Sequence, residues 1–292
     1  MQSIINNGRT HRFAHTVNVL AKLKMNITVR QKIIISLCLL LVSVGMRAQD
    51  ANPVTRSTMY GMGVVNLYDT YLSPMEYTGV QVRVLRESCR MTPWMDGNVS
   101  RQVLFQGYVV AAENRAETAS ELAGMVNWNY ALHYNFSLFE DRLTLLVGPM
   151  AQLHGGFVYN TRNSNNPAQA RLYANLAVSG MAQYRIPWKH CPLVLRYQVD
   201  APCLGVMFSP QYGQSYYEIF SLGHANGTVV CTSFHNQPSL RHWLTADILF
   251  RKCTFRVGYM ADMQQARVNG LRSHDYSHSF MLGLVHKFVI IK

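Results

Sequence analysis

From residue 55 onward, hydrophobic and polar side chains alternate with a period of two, which is the pattern of β-strands. The clearest segment runs from Leu122 to Phe136, where even positions are mostly apolar or aromatic and odd positions include Asn127 and Asn129. The pattern predicts ten strands, at residues 57–67, 77–91, 99–113, 119–137, 142–156, 170–186, 192–201, 239–250, 253–264 and 277–290.

Short and long connections alternate in the second half of the chain. The short ones are 139–141, 187–191 and 251–252, and the long ones are 159–169, 202–238 and 265–276. This arrangement is typical of an up-and-down antiparallel β-barrel in an outer membrane, with tight periplasmic turns and longer external loops. An even strand number also places both chain ends on the periplasmic side.

Alternation alone does not say which face lies inside, and a soluble lipocalin-like barrel would hold its apolar face inward. Three features favour the membrane arrangement instead. The strands reach the 9–11 residues that a tilted spanning strand needs. Aromatic residues gather near the short turns, as in an interfacial girdle. The polar face carries full charges, which can pair across a narrow lumen but are costly in an apolar core. These predicted lumen charges are Arg196, Asp200, Asp247, Arg256 and Asp262.

Composition narrows the class of protein further. Hydrophobic residues make up 49% and charged residues 14% of the chain, whereas soluble proteins average about 25% charged. General disorder is therefore excluded. A helical membrane protein is excluded too, because the one nearly continuous apolar stretch, Ile33 to Met46, is shorter than the ~20 residues of a spanning helix.

The net charge of +12 comes largely from the first 49 residues, which hold seven of the 27 Lys and Arg and no acid. Arg30 and Lys32, the apolar run that follows, and Ala48 have the layout of a secretory signal peptide. We therefore predict an upstream extension and a cleaved signal peptide over 1–48, and a barrel domain over 49–292. The rest of the chain has an ordinary charge, so no nucleic-acid partner is predicted. Outer-membrane lipid is the expected surrounding.

The predicted mature chain has five cysteines and no C-x-x-C spacing, so neither a zinc site nor thioredoxin chemistry is indicated. Cys203 and Cys231 flank the longest connection and are a candidate disulfide pair. The alternative is that the cysteines are small buried or lipid-facing residues. No metal and no cofactor is predicted.

Three longer sequence motifs lie mostly in the connections between the predicted strands. They are NLYDTYLSPMEYTG at 66–79, YNTRNSNNPAQ at 159–169 and GVMFSPQYGQSYYEIF at 205–220. Together they resemble an uncharacterised family of exported or outer-membrane β-barrel proteins of Bacteroidota, domain of unknown function 3316. The resemblance spans roughly 57–290. It implies an exported barrel and no established activity, and therefore no catalytic residue.

Loops rich in tyrosine and asparagine are good recognition surfaces, since aromatic rings supply contact area and amides supply hydrogen bonds. They could equally fold into the barrel mouth as a plug. We predict a non-enzymatic barrel that binds or shields something through these loops. The candidate binding residues are Phe208, Tyr212, Tyr216, Tyr217, Asn163, Asn165 and Asn166.

Two other functions are compatible with the sequence. A lipase-like or protease-like outer-membrane hydrolase would use a cluster before the last strand, or the paired carboxylates Asp69 and Glu76 in another loop. The cluster consists of His274, Asp275, Ser277, His278 and Ser279. Neighbouring residues on a strand point to opposite faces, so His278 and Ser279 are not expected to form the dyad that Ser–His chemistry needs. A narrow gated channel is the other alternative, because ten strands enclose an interior that side chains can largely fill.

Overall fold

The computed structural model describes residues 54–140, 142–188, 192–250 and 253–288. The predicted extension and signal peptide at 1–48 lie outside these ranges. The strands are β1 (Val54–Asp69), β2 (Ser73–Met91), β3 (Val99–Asn114), β4 (Ser120–Leu138), β5 (Leu143–Asn160), β6 (Ala168–Ile186), β7 (Leu193–Phe208), β8 (Val229–Ser233), β9 (Leu240–Phe250), β10 (Cys253–Val268) and β11 (Leu271–Phe288). One short helix, α1 (Tyr216–Phe220), lies between β7 and β8.

Ten long strands form a closed antiparallel barrel, as the alternation predicts. Their order around the sheet is β6-β5-β4-β3-β2-β1-β11-β10-β9-β7, and pairing of β6 with β7 closes the ring. The short strand β8 adds to the free edge of β7 beyond β9. The prediction of about ten strands in an up-and-down barrel is confirmed, and β8 is an addition that the pattern did not reveal.

The barrel has two unlike ends. We call the end with Val54 and the turns 92–98 and 139–142 the terminal end, because both ends of the described chain lie there. The opposite end, which holds the connections 70–72, 115–119, 161–167 and the long one after Phe208, is called the loop end.

One predicted long connection is wrong. Residues 265–276 are mostly strand, because β10 and β11 continue to a two-residue turn at Asn269 and Gly270. Both turn residues have positive φ, 50° and 76°, which is the backbone shape that Asn-Gly favours in tight hairpins. The predicted connection 202–238 is likewise partly structured, since β7 runs to Phe208 and both α1 and β8 follow.

The outward face of the strands is an apolar belt and the inward face is polar. Outward side chains such as Val64, Val80, Val109 and Leu282 are more than half exposed, whereas inward ones such as Gln81 and Asn127 are buried. This inversion of the usual soluble pattern is what a lipid-facing barrel requires. Within the described part of the chain, no helix is long and apolar enough to cross a membrane.

The lumen is filled in two layers. Its loop half holds an apolar cluster that includes Leu67, Tyr77, Val110 and Met125, with Leu72 of the β1–β2 turn packed into it. Its terminal half holds charged and amide side chains around a smaller apolar cluster of Met59, Leu85, Leu104, Trp243, Met260 and Met281.

The candidate disulfide between Cys203 and Cys231 is not formed. Both thiols are free and exposed, and Cys231 lies opposite Val206 in the β7–β8 ladder. Cys203 is therefore three residues away along the strand, about 10 Å, which is beyond the reach of a disulfide. The alternative from the sequence, that the cysteines are small buried or lipid-facing residues, stays a prediction.

Candidate functional site: the lumen network and the loop end

The lumen contains a charge network centred on Glu87, which is 2% exposed on β2. The Arg196 guanidinium on β7 donates to both carboxylate oxygens of Glu87, from Nη1 at 2.9 Å and from Nη2 at 2.7 Å. The Arg256 guanidinium on β10 donates to Glu87 as well and, through Nη2, to Asp247 at 2.7 Å. Since β2 and β7 lie five places apart in the ring of ten, the pair Glu87–Arg196 spans the barrel diameter.

Two further ion pairs extend the network towards the loop end. Arg241 Nη2 lies 2.6 Å from Asp200 Oδ2, and Arg83 Nη1 on β2 lies 3.1 Å from Asp262 Oδ2 on β10. We call the whole set the lumen network; its members are Arg83, Glu87, Arg196, Asp200, Arg241, Asp247, Arg256 and Asp262. It contains four carboxylates and four guanidiniums, so it is neutral.

The structure places all five sequence-predicted lumen charges in this network. Sequence reasoning missed Arg83, Glu87 and Arg241, although each occupies an inward position of a predicted strand. The alternation in residues 77–91, where Gln81, Arg83 and Glu87 share one face, was the signal that could have found the two on β2.

The network separates a cavity at the terminal end from the rest of the lumen. This cavity has a volume of about 660 Å³ and is lined by residues that include Arg196, Asp247 and Arg256. On the loop side, the cavity lined by Tyr108, Tyr173 and others measures only about 30 Å³, enough for a few waters at most. No wide aqueous path therefore runs through the described residues.

The loop end is covered by residues 209–228, which connect β7 to β8 and which we call the mouth segment. The Tyr71 hydroxyl of the β1–β2 turn donates to the Gln214 carbonyl at 3.0 Å. The Tyr216 hydroxyl donates to Gln169 Oε1 at 2.8 Å and accepts from the Ala170 amide at 2.7 Å on β6. Because β1 and β6 lie on opposite sides of the ring, these contacts hold the segment across the mouth.

The β10–β11 turn holds the mouth segment from a third side. Asn269 Nδ2 donates to the carbonyls of Ser209 and Gly227, both at 2.9 Å. The Tyr212 amide donates back to the Asn269 carbonyl at 3.3 Å. A hairpin that sequence reasoning treated as a long loop is therefore an anchor for the mouth.

Helix α1 begins with a complete capping box. Ser215 Oγ accepts from the Glu218 amide, and the Glu218 carboxylate accepts from the Ser215 amide at 2.7 Å. The hydrogen bonds from Ser215 lower the pKa of Glu218 below its ordinary value. Ile219 is buried, so one face of this short helix points into the fold.

The other face of the mouth segment carries exposed rings. Tyr212 is 76%, Tyr217 65% and Phe220 72% exposed. Phe220 also stacks on Phe208 and Tyr216, with ring centroids 6.3 and 6.0 Å apart. Of the predicted binding residues, Tyr212 and Tyr217 are thus available to a partner, whereas Phe208 and Tyr216 support the rings around them.

The asparagine-rich connection 161–167 is a self-bonded loop. Asn163 Oδ1 accepts from the amides of Asn165 and Asn166, both at 3.1 Å. Asn163 Nδ2 donates to the Leu72 carbonyl at 3.0 Å. Asn163 is therefore committed to holding the loop against the β1–β2 turn, and Asn165 is the exposed member of the three.

The residues considered for a hydrolase are scattered. His278 lies on the outer wall, where its Nδ1 is 2.7 Å from the Tyr259 hydroxyl, and Ser279 is buried inside. Asp275 accepts from the Tyr108 hydroxyl at 2.8 Å in the lumen. His274 contacts Asn66 instead.

Two Ser–His contacts occur elsewhere in the described chain. His133 Nε2 lies 2.9 Å from Ser179 Oγ, but that hydroxyl is fully buried and donates to Asp200. Ser233 contacts His235 on the surface, and no carboxylate is bonded to that histidine among the described residues.

Comparison with solved structures finds matches over most of the chain, each at low sequence identity. The transport unit of the autotransporter AIDA-I from Escherichia coli matches with a TM-score of 0.47 at 7% identity, covering 84% of this chain and 92% of that one. The translocator domain of the autotransporter NalP from Neisseria meningitidis gives 0.41 at 10% identity, covering 90% and 98%. The outer membrane protease OmpT from Escherichia coli gives 0.45 at 7% identity, covering 83% and 99%.

No curated protein sequence matches this chain. A family model does: the model described as "Protein of unknown function (DUF3316)" matches residues 33–292. Since that match spans most of the sequence, the resemblance of the loop motifs is confirmed and the chain belongs to the DUF3316 family.

Proposed function

We propose that this protein is an outer-membrane β-barrel that binds a partner outside the cell through its mouth segment, without enzymatic activity and without conducting. The observation that carries the proposal is the exposure of Tyr212, Tyr217 and Phe220 on a segment that is fixed across a closed barrel.

The location follows from the two faces of the barrel. An apolar outer belt around a charged interior is stable in lipid and costly in water. Strands of 16–19 residues such as β1 and β2 exceed the 9–11 that a tilted span needs. With export by a signal peptide at 1–48, the terminal end faces the periplasm and the loop end faces outward.

Binding is supported by how the mouth segment is built. Aromatic rings bring large contact area at a low cost in side-chain entropy. Anchors on three sides order the segment before any partner arrives, which removes part of the entropy cost of association. Rings left exposed on an ordered element are therefore suited to a partner surface.

A non-conducting barrel is supported by the lumen. Glu87, Arg196 and Arg256 meet across its middle, and the apolar cluster with Leu72 fills its loop half. Opening a path would separate buried ion pairs, and leaving one such charge unpaired costs about 3–5 kcal/mol.

Site-specific photo-crosslinking in intact cells tests the binding proposal. A photoreactive residue replaces Tyr217 or Phe220 in one set, and Glu117 in the exposed β3–β4 turn serves as the matched control. The proposal predicts a discrete crosslinked product of defined mass at positions 217 and 220 and none at 117.

The product should also disappear when two exposed rings of the segment are replaced together, as in a Tyr212→Ser, Phe220→Ser double variant crosslinked from position 217. Crosslinks to lipid alone, or the same products from all three positions, would contradict partner binding by the mouth segment.

A further inference from the structure

A group of arginines occupies the lipid-facing wall of β1, β2 and β3 near the terminal end. Arg56, Arg86, Arg90 and Arg101 all lie at outward positions of the strand alternation. We call these four residues the basic wall patch. Arg86 is exposed, whereas Arg90 and Arg101 are half-buried and also border the cavity at the terminal end.

The four side chains are neighbours in the sheet. Arg90 lies directly opposite Arg101 across the β2–β3 ladder. Arg56 lies opposite Ser88, so it is diagonal to both Arg86 and Arg90, a separation of about 7–8 Å. Like charges directly opposite each other destabilise a sheet unless something neutralises them.

No carboxylate among the described residues pairs with Arg86, Arg90 or Arg101. None of the ion pairs among them includes Arg86, Arg90 or Arg101, and Arg90 Nε is buried without a hydrogen-bond partner. No Asp or Glu holds an outward position in residues 82–91 or 99–106, because Glu87 points into the lumen, and Asp96 lies in the turn 92–98 between the two strands.

The patch also replaces part of an aromatic band. At the terminal end, outward rings lie on β4, β6, β9 and β10; they are Phe136, Tyr184, Phe250 and Phe255. On β1, β2 and β3, arginines instead of rings occupy outward positions near that end. Such a band marks the depth of the lipid headgroups, so the arginines are placed at the depth of headgroup phosphates.

We propose that the basic wall patch binds the phosphate of an anionic phospholipid in the leaflet at the terminal end. Guanidinium groups fit phosphate with paired hydrogen bonds, and the arginine stems can lie along apolar wall while their heads reach the interface. The inference rests on the proposed membrane location.

The test uses the detergent-purified protein, first confirmed as folded by heat-modifiable gel mobility. It is then titrated with phosphatidylglycerol, with phosphatidylcholine and with inorganic phosphate, and bound lipid is counted by native mass spectrometry. A protein that shows no heat-modifiable mobility would undermine the membrane location, not the patch specifically. The patch predicts preferential binding of phosphatidylglycerol that inorganic phosphate does not displace.

The variant Arg90→Gln, Arg101→Gln should lose this affinity on the order of twenty-fold, since each basic residue near an anionic surface contributes roughly five-fold. The matched control is Arg142→Gln, Arg185→Gln, which removes the same charge at the same end but away from the patch, and it should keep the affinity within about two-fold.

The melting temperature gives a second measurement that decides the test if the changes in lipid affinity are small. Without anionic lipid the Arg90→Gln, Arg101→Gln variant should melt at or above the wild-type temperature, because it relieves like-charge repulsion. With phosphatidylglycerol it should gain less than wild type. Equal affinity loss in both double variants, no lipid preference in wild type, or displacement by inorganic phosphate would each overturn the proposal.

Discussion

At the scale of single residues, the lumen network shows how a narrow barrel tolerates buried charge. Glu87 receives two guanidiniums, and Asp247 shares one of them, so each charge has a partner. A buried pair is not by itself a source of stability, because desolvation offsets the attraction. Removing one partner of a buried pair, however, strongly lowers the free energy of unfolding, because the other charge is left unpaired.

Replacing Arg256, which is 1% exposed, by alanine should therefore lower the free energy of unfolding by about 3–5 kcal/mol. The loss leaves Glu87 with one guanidinium partner, Arg196, and Asp247 with none of its present partners. Urea or thermal unfolding in detergent measures the effect, with Arg115→Ala in an exposed turn as the control, expected within about ±0.5 kcal/mol. An Arg256→Ala protein as stable as the control would mean that the charge is not buried in the lumen.

A second residue-scale prediction concerns Tyr71 in the β1–β2 turn. Burial, assisted by the nearby Tyr216, Asp69 and Glu218, raises the pKa of Tyr71 to about 12. A raised pKa means that the folded state favours the neutral phenol, so this contribution is present below the unfolded value of about 10 and is lost as pH rises towards 12.

Absorbance titration of tyrosinate, taken as the difference between wild type and Tyr71→Phe, should show one group with a midpoint near pH 12. A midpoint near 10 in that difference would show that Tyr71 is solvated and does not hold the mouth segment.

At the scale of elements, the strands were predictable and their partners across the lumen were not. Alternation with period two located all ten long strands because each has one apolar outward side and one polar lumen-facing side. The same rule cannot pair Glu87 with Arg196, since residues 109 apart in sequence meet only when the ring closes.

The structure of the loop end differs more from the sequence-based prediction than the strands do, and each difference has a local cause. The turn at Asn269 and Gly270 was missed although Asn-Gly is a strong hairpin signal, because the polar stretch around it resembled a long loop. The cysteines flanking the mouth segment suggested a disulfide, whereas hydrogen bonds from Tyr71, Tyr216 and Asn269 do the fastening. The sequence predicted a group of aromatic rings in this segment, but it did not predict which of those rings would be exposed.

An element-scale prediction follows from this fastening. Tyr71→Phe removes the hydrogen bond to the Gln214 carbonyl while keeping the ring, and should raise hydrogen exchange in the mouth segment severalfold, in line with a bond worth about 1 kcal/mol. Tyr212→Phe is the control, because this exposed hydroxyl has no hydrogen bond among the described residues. Equal exchange in both variants would mean that the Tyr71 contact does not order the segment.

At the scale of the whole molecule, the barrel is closed twice, by the lumen network in its middle and by the apolar cluster and mouth segment at its loop end. We expect no steady ion conductance from the purified protein in planar bilayers, because no wide aqueous path joins the two ends through the described residues. Insertion is checked independently by heat-modifiable mobility. A stable unitary conductance from inserted protein would favour the gated-channel alternative instead.

Binding at the cell surface requires the mouth segment to face the outside of the cell and the terminal end to face the periplasm. Single cysteines at Tyr217 and at Asp96, in a version without native cysteines, can be exposed on intact cells to a membrane-impermeant maleimide. We expect Tyr217→Cys to label on intact cells and Asp96→Cys to label only after the outer membrane is permeabilised. Labelling of Asp96→Cys but not Tyr217→Cys on intact cells, or of neither before permeabilisation, would contradict a surface-binding outer-membrane barrel.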